Sequence, residues 1–475
     1  MRIDEYLSKL NQKANKDFSD LLWNYIEEDK PRVARLIDLK DRYTGDDVPI
    51  HSRTFDDDSK INNKLDHNFM FKIVRTKVGY LFGQEASYEV DESIENTNIK
   101  NTLKAKLDDF VEVNNLGYLD SLIGENATIY GEAFLLLYID GSEESKGIMA
   151  CKINPWEVIP IYDRSMQDMT HAIRHYKIQL IRDGEKLERT RIEFYDKSNV
   201  YYYIEDDDGI FVLDKDEPIN PQPHAMGDVP IIRYMNDEFC KGEADRVLSL
   251  IDDYDKVRSD FSSEIEQIRM AYLAFFGESG PDDDDELESV RERYKKTGII
   301  WFPDATSRAE FIEKGLISYQ AVKTHGDSLK QDITDISGSI NITDEAFGGG
   351  SNTGIALKYK VYALELSSAK TEKLFANSTR RIFEILCRYW TQIDGTEYQA
   401  KWITVERKRN LPANVMEEAD FLQKTDGLIS KRTAYSQVSF ISNPQYELDL
   451  LAKEKGDYEV LPLEQGQVDP FGDNI

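Results

Sequence analysis

The chain has 475 residues, a formal net charge of -30 at pH 7, 40% hydrophobic and 11% aromatic residues. That hydrophobic share excludes wholesale disorder, and the length allows about two to four domains of roughly 100–200 residues each. The charge excludes an electrostatic grip on nucleic acid or on an anionic membrane over the whole surface, though not a protein that touches DNA without adhering to it. Three scattered cysteines, Cys151, Cys240 and Cys387, form no C-x-x-C pair, which predicts free thiols in a reducing compartment rather than disulfides or a zinc site. The charged opening "MRIDEYLSKLNQKANKDFSDLL" has no apolar signal-peptide core, and no run reaches roughly 18 apolar residues. A soluble product made in a cytoplasm is expected.

Residues 1–45 read as helices, with Phe18, Leu21, Leu22, Tyr25 and Ile26 recurring at three and four, and Pro31 placed in the first turn of a further helix carrying Val33, Leu36 and Ile37. "NNKLDHNFMFKIVRTKVGYLFG" continues the helical period to a stop at Gly83. From Leu116 a helix runs to Tyr130-Gly131, and Ala133–Ile139 has the length and composition of a buried strand. Strand patterns then dominate to about residue 235, with Asp183-Gly184 and Asp208-Gly209 as hairpin turns. This is an α+β pattern, an antiparallel sheet flanked by helices.

Ala244 to Phe276 carries no Gly or Pro and steps through Val247, Leu250, Ile251, Tyr254, Val257, Phe261, Ile265, Ile268, Tyr272 and Phe275. At 1.5 Å per residue this reads as one helix roughly 45–50 Å long. An acidic insertion follows, then strands at "IIWF" and "AEFIEKG", and a second helix through "SYQAVKTHGDSLKQDITDI". A glycine-rich stretch leads into a third long helix, from about Ile355 to Trp390. A strand at "WITVE", short helices broken at Gly427 and Pro444, and an unstructured tail complete the reading.

The glycine-rich stretch "ITDEAFGGGSNTGIALKYK" invites a nucleotide-cradle reading. A P-loop needs G-x-x-x-x-G-K-[ST], but Ile355 and Ala356 follow the spaced pair Gly349 and Gly354. Gly348, Gly350 and Gly354 miss the dinucleotide spacing by one residue. A loop whose glycines populate most of backbone space, with Asn352 or Thr353 capping the next helix, accounts for the stretch. His171 and His175 stand four apart within strand-like text, so sheet histidines are expected rather than metal ligands. "PDDDDELE" fits no EF-hand spacing and reads as an acidic helix start complementing the dipole. Tyr201, Tyr202 and Tyr203 alternate faces on a strand and cannot form one stacking platform. No catalytic residue, metal or cofactor is expected.

Long helix, small acidic insertion, returning helix, glycine loop and third long helix resemble, in that order, the portal proteins of long-tailed bacteriophages. The resemblance is carried by "LIDDYDKVRSDFSSEIEQIRMAYLAFFG", by "TIYGEAFLLLYID", by the glycine loop with its Ala356, Lys358, Tyr359 and Lys360, and by "LISKRTAYSQVSFISNPQYEL", together covering about residues 30–455. It implies a portal fold: an N-terminal helical segment (1–45), a mixed α/β wing with an antiparallel sheet (46–243), a helical stem (244–276 and 319–338), a small α/β clip (277–318), a tunnel loop (339–354), a long tunnel helix returning to the wing (355–411), a helical C-terminal crown (412–455) and a tail (456–475). It further implies a homo-oligomeric ring of normally twelve subunits at one capsid vertex of the virion, assembled in the host cytoplasm. Double-stranded DNA would enter through it in packaging and leave in ejection. Implied partners are the terminase large subunit, a head-completion or adaptor protein, and the scaffold and major capsid proteins, with no membrane. The DNA-proximal tunnel loop would present Asn341, Thr343, Asp344, Glu345, Phe347, Gly348, Gly349, Gly350, Ser351 and Asn352. Asp282, Asp283, Asp284, Asp285, Glu286, Arg291 and Arg293 would lie on the partner surface of the clip. Two rival readings stay open: a nucleotide-binding enzyme using the glycine loop, which predicts ATP turnover sensitive to Gly349 or Gly354, and a monomeric or dimeric helical scaffold for protein partners, which solution size would reveal.

Overall fold

In a computed structural model of the chain, the described residues are 16–56, 60–139, 147–182, 185–268, 272–276, 284–297, 308–312, 319–340, 361–410, 415–438, 440–441 and 444–459. In chain order the elements are α1 (Lys16–Thr44), α2 (Phe69–Leu81), β1 (Ser87–Val90), α3 (Thr97–Val113), α4 (Leu116–Tyr130), β2 (Glu132–Ile139), β3 (Ile148–Ile153), β4 (Val158–Tyr162), β5 (Met169–Arg182), β6 (Glu185–Tyr195), β7 (Asn199–Glu205), β8 (Phe211–Leu213), β9 (Gln222–Pro223), β10 (Ile231–Met235) and α5 (Leu248–Ile268). There follow β11 (Tyr272–Phe276), α6 (Asp284–Thr297), β12 (Arg308–Ile312), α7 (Tyr319–Ser337), α8 (Tyr362–Asp394), β13 (Ile403–Glu406), α9 (Val415–Thr425), α10 (Lys431–Ser436) and α11 (Pro444–Glu459). They divide into two compact units: residues 1–39, 74–243 and 340–475, and residues 40–73 and 244–339.

The first unit is built on two antiparallel sheets whose strands obey the two-residue side-chain alternation. The three-stranded sheet has the order β10-β2-β3. Alternate residues of β2 serve opposite sides: Ala133, Leu135 and Leu137 join a cluster with α3, α4 and α8, while Phe134 and Leu136 face Val158, Ala172, Tyr195 and Val200 of the second sheet. The second sheet runs β4-β5-β6-β7-β8, with β9 also on β7. Its far side carries Ile159, Ile173, Ile192, Phe194, Tyr203 and Phe211, which pack on Phe18, Leu22 and Ile26 of α1. Both faces of each sheet are therefore covered. At the start of β2 the buried carboxylate of Glu132 is held by Arg32 at 2.5 Å and by Arg233 at 2.6 Å, tying α1 and β10 to the same strand. A separate ribbon pairs β1 with β13, Ser87 opposite Glu406 and Val90 opposite Ile403.

Helix α1 is continuous through Pro31, where the sequence predicts a fresh start. Proline removes one amide donor, but Pro31 and Glu27 are both exposed, so water can satisfy the freed Glu27 carbonyl while Leu22, Ile26, Leu36 and Leu39 remain buried. The strand expectations for residues 158–213 hold. The turn at Asp208-Gly209 closes through Gly209 N–H to the Asp206 carbonyl, with Gly209 at φ +75°. Asp183-Gly184 falls outside the described residues. His171 and His175 stand on β5; His171 is buried and stacked on Phe194 at 5.4 Å. Burial, first of all, holds His175 below the usual imidazole range. The segment after residue 412 folds as α9, α10 and α11 with breaks at Gly427 (φ +78°) and before Pro444. The last helix continues to Glu459, into the stretch read as tail.

The second unit corrects two expectations. Residues 62–68 are not helical: the amides of Asn63, Leu65 and His67 donate to side chains of α5, and Asn68 then caps α2 by accepting from Phe71 N–H at 2.8 Å. The long helix ends at Ile268, and Tyr272–Phe276 forms a strand antiparallel to Arg308–Ile312. The aromatic-rich stretch "YLAFF" suits a strand as well as a helix face, and its cross-strand pairing overrides the helical period. "IIWF" lies outside the described residues, whereas the strand expected at "AEFIEKG" is β12 and the returning helix is α7. Along α5 the most buried positions are Ile251, Asp255, Ser259 and Ser263. The apolar stripe read from sequence is half open: Val257 and Phe261 are partly exposed and Ile265 is 45% exposed. Phe261 meets Tyr319 of α7 at 5.9 Å.

Candidate functional site

Asn341, Thr343, Asp344, Glu345, Phe347, Gly348, Gly349, Gly350, Ser351 and Asn352, the residues expected to touch DNA, lie outside the described residues, as do Asp282 and Asp283. Asp284, Asp285, Glu286, Arg291 and Arg293 belong to α6, where Asp285, Glu286, Arg291 and Arg293 are exposed. Asp284, Asp285 and Glu286 fall in its first turn, the end where the dipole favours negative charge.

What the structure does define is the fastening of the helix that leaves the glycine-rich stretch. Val361 and Leu364 pack with Tyr80 and Ile340 in a small apolar cluster. One turn on, Glu365 takes a two-pronged hydrogen bond from Arg409, 2.8 Å from Nε and 3.0 Å from Nη2. Tyr80 Oη donates to the same carboxylate at 2.6 Å, and Arg409 also reaches Glu372 at 2.8 Å. Burial pushes the Glu365 carboxyl up, but the hydrogen bonds from Arg409 and Tyr80 more than offset it and leave the group below the usual carboxylate range. Tyr80 moves the opposite way: burial raises its phenol, and the Glu365 carboxylate raises it further.

A second fastening sits deeper. Lys77 of α2 has a side chain only 1% exposed. Its ammonium donates to Glu243 at 2.6 Å, to Asn236 Oδ1 at 2.9 Å and to Ser367 Oγ of α8 at 2.9 Å. Three donors meet three acceptors, the full capacity of an ammonium. Ser367 Oγ in turn donates to Glu243 at 2.6 Å, and Asn236 Nδ2 donates to the same carboxylate at 3.2 Å. Burial raises the Glu243 carboxyl, and the Lys77 charge with these hydrogen bonds brings it below the usual carboxylate range. Further along α8, Thr371 and Ser378 hydroxyls donate to the carbonyls of Asn236 at 2.9 Å and Arg233 at 2.7 Å. Since β10 is the edge of its sheet, small hydroxyl residues let α8 approach while satisfying backbone acceptors there.

None of these residues is a site residue in the sequence reading. One signal was available for Lys77: it lies four residues after Ile73 and four before Leu81, on the stripe of α2 that is otherwise buried. A lysine at a core position requires a buried partner. Nothing local to Glu243 or Ser367 identifies that partner. Chemically the arrangement binds and orients; its charged groups are saturated by one another.

The chain matches the family described as phage portal protein, SPP1 Gp6-like, over residues 23–460. It is similar to the portal protein of Bacillus phage SPP1, 25% identical over 420 residues that cover 85% of this chain and 78% of that protein. It is similar also to the portal protein of Clostridium phage phiCD119, 24% identical over 449 residues, covering 90% of this chain and 94% of that one. A mixed α+β fold with antiparallel sheets and long helices is in keeping with both matches. The chain belongs to the phage portal proteins of the SPP1 Gp6-like family. Its function is a portal function, that of a structural virion component of a tailed bacteriophage.

Proposed function

We propose that the chain works as a ring of twelve copies at one capsid vertex, assembled in the host cytoplasm, through which double-stranded DNA is packaged and later ejected. Membership of the portal family over residues 23–460 carries this reading. Two physical features support it. The half-open apolar stripe of α5 and α7, with Val257, Phe261, Ile265 and Tyr319, offers a neighbouring copy a surface that a head-to-tail ring can bury. The net charge of -30 suits a channel for a polymer carrying one negative charge per roughly 1.7 Å of axis, because each basic contact would create a well that moving duplex must escape. Terminase docks on residues 277–318, where α6 presents its charged surface, and the head-completion or adaptor protein follows it there; the scaffold and major capsid proteins hold the ring in the shell. No step of catalysis belongs to the chain itself.

Class averages of the purified, assembled protein viewed down its axis are expected to show rotational symmetry about a central hole. Particles without either, under every assembly condition, would overturn the ring. Residues 339–354 are proposed as the tunnel loop, with the contacts to DNA made loosely through backbone and small polar groups. Replacing Gly348, Gly349 and Gly350 together by alanine narrows the loop's backbone freedom. The triple variant is expected to assemble normally and to package or retain DNA poorly; unchanged yields of filled heads would remove the loop from the mechanism.

A further inference from the structure

Asn63, Leu65 and His67 run antiparallel to α5 and donate their amides, in order, to Ser263 Oγ at 2.9 Å, Ser259 Oγ at 2.9 Å and Asp255 Oδ1 at 3.0 Å. The match is geometric: two residues of extended chain span about 6.6 Å and four residues of helix rise about 6 Å, so every second amide meets every fourth side chain. The three acceptors are the polar residues buried along α5, 6%, 0% and 1% exposed respectively. Side chains of the segment itself add bonds, Lys64 Nζ to the His51 carbonyl at 2.6 Å and Asn63 Nδ2 to Glu266 at 3.0 Å. At the far end His67 adds its ring Nδ1, 3.0 Å from the same Asp255 oxygen, and stacks edge-on to Tyr254 at 4.9 Å.

Asp255 Oδ2 is buried without a hydrogen-bond partner among the described residues. With one of its two oxygens buried and unmet, the ionised carboxylate carries a desolvation penalty that the protonated form largely escapes. The surrounding charges add to the penalty. Asp66 on the segment and Asp252 on α5 oppose ionisation, Asp252 being tied to Arg42 at 2.7 Å; the His67 amide hydrogen bond and His51 favour it but do not offset burial. Arg258, on α5, acts on His67, which burial first of all holds neutral to lower pH.

We propose that residues 63–67 are a strap latched to the polar stripe of α5, and that proton loss from the buried Asp255 loosens its His67 end while proton uptake closes it. The driving force has the sign of a raised acid: burial, chiefly, lifts Asp255 to about 7, so the latched state binds a proton that the open state has already lost. Latching is strongest on the acid side and weakens as pH rises through about 7, then levels off once both states are ionised.

Hydrogen-exchange mass spectrometry of the full chain, read on peptides spanning residues 60–68 and corrected for intrinsic exchange, tests this. Between about pH 6 and about pH 8 Asp255 alone would lower the strap's protection about tenfold; His67, held neutral when latched, works against it, so a net fall of about threefold is expected. Asp255→Asn, which keeps an acceptor but cannot ionise, should lose this fall, its protection staying level or rising with pH. Ser259→Ala should lower protection at Leu65 at both pH values and leave the pH trend intact, which separates loss of a rung from loss of the titration and serves if D255N does not fold. An unprotected segment at about pH 6 would overturn the strap; an unchanged pH trend in D255N, or no trend in the native chain, would overturn the role of Asp255.

Discussion

Lys77→Ala is expected to destabilise the first unit by about 3–5 kcal/mol, because it leaves the buried Glu243 carboxylate without its counter-charge. The pair is enclosed, with side chains 1% and 10% exposed, so water cannot readily replace the ammonium. Trp23, Trp156, Trp390 and Trp402 all belong to this unit, which makes tryptophan fluorescence in a thermal or urea titration a suitable reading. Lys77→Met alone should be nearly as damaging, since it restores packing but not charge. Lys77→Met combined with Glu243→Gln should recover much of the loss, the isolated charge being gone; such non-additivity is what residues in one network show. A Lys77→Met loss far below that of Lys77→Ala would mean that Lys77 matters only as volume, and additive losses in the double variant would mean that the two charges are not coupled. Because the same ammonium holds Ser367 near the start of α8, the single variants should also loosen the helix end nearest the glycine-rich stretch. That end keeps a second anchor in the Arg409–Glu365 pair.

Gly131→Ala is expected to cost more than about 3 kcal/mol, the range reached when backbone strain and steric overlap combine. Gly131 ends α4 in the left-handed region at φ +87°, its amide closing on the Ala127 carbonyl at 2.8 Å. A Cβ there would overlap the Cys240 carbonyl group and stand 2.6 Å from the Lys241 amide nitrogen. Gly131 also accepts from Asn236 N–H at 2.9 Å, so any shift is passed to the residue that holds Lys77. Gly209→Ala is the matched control. Its φ is +75° but nothing lies within 4 Å of the added Cβ, so only the left-handed penalty of about 1–2 kcal/mol applies. A G131A protein no less stable than the G209A one would show that the loop around Cys240 yields without cost.

The sequence alone determined the elements whose signals are local. The helix ending at Gly131 and the buried strand after it were legible because a left-handed cap and an apolar run of strand length need no distant partner. The same holds for the hairpin at Asp208-Gly209, for α7, for the helix breaks at Gly427 and before Pro444, and for the pattern that resembles the portal family. Tertiary structure decided what depends on residues far apart in the chain: the pairing of Ser87–Val90 with Ile403–Glu406, the strand fate of Tyr272–Phe276, and the partners of Lys77. It also inverted the reading of α5, where hydrophobicity marks Val257, Phe261 and Ile265 as the buried face while the amides of residues 63, 65 and 67 bury Asp255, Ser259 and Ser263 instead. Periodicity reports where side chains point along one element, whereas burial is settled by whichever backbone arrives to meet them, and unmet amides recruit polar side chains as surely as apolar surface recruits its own kind.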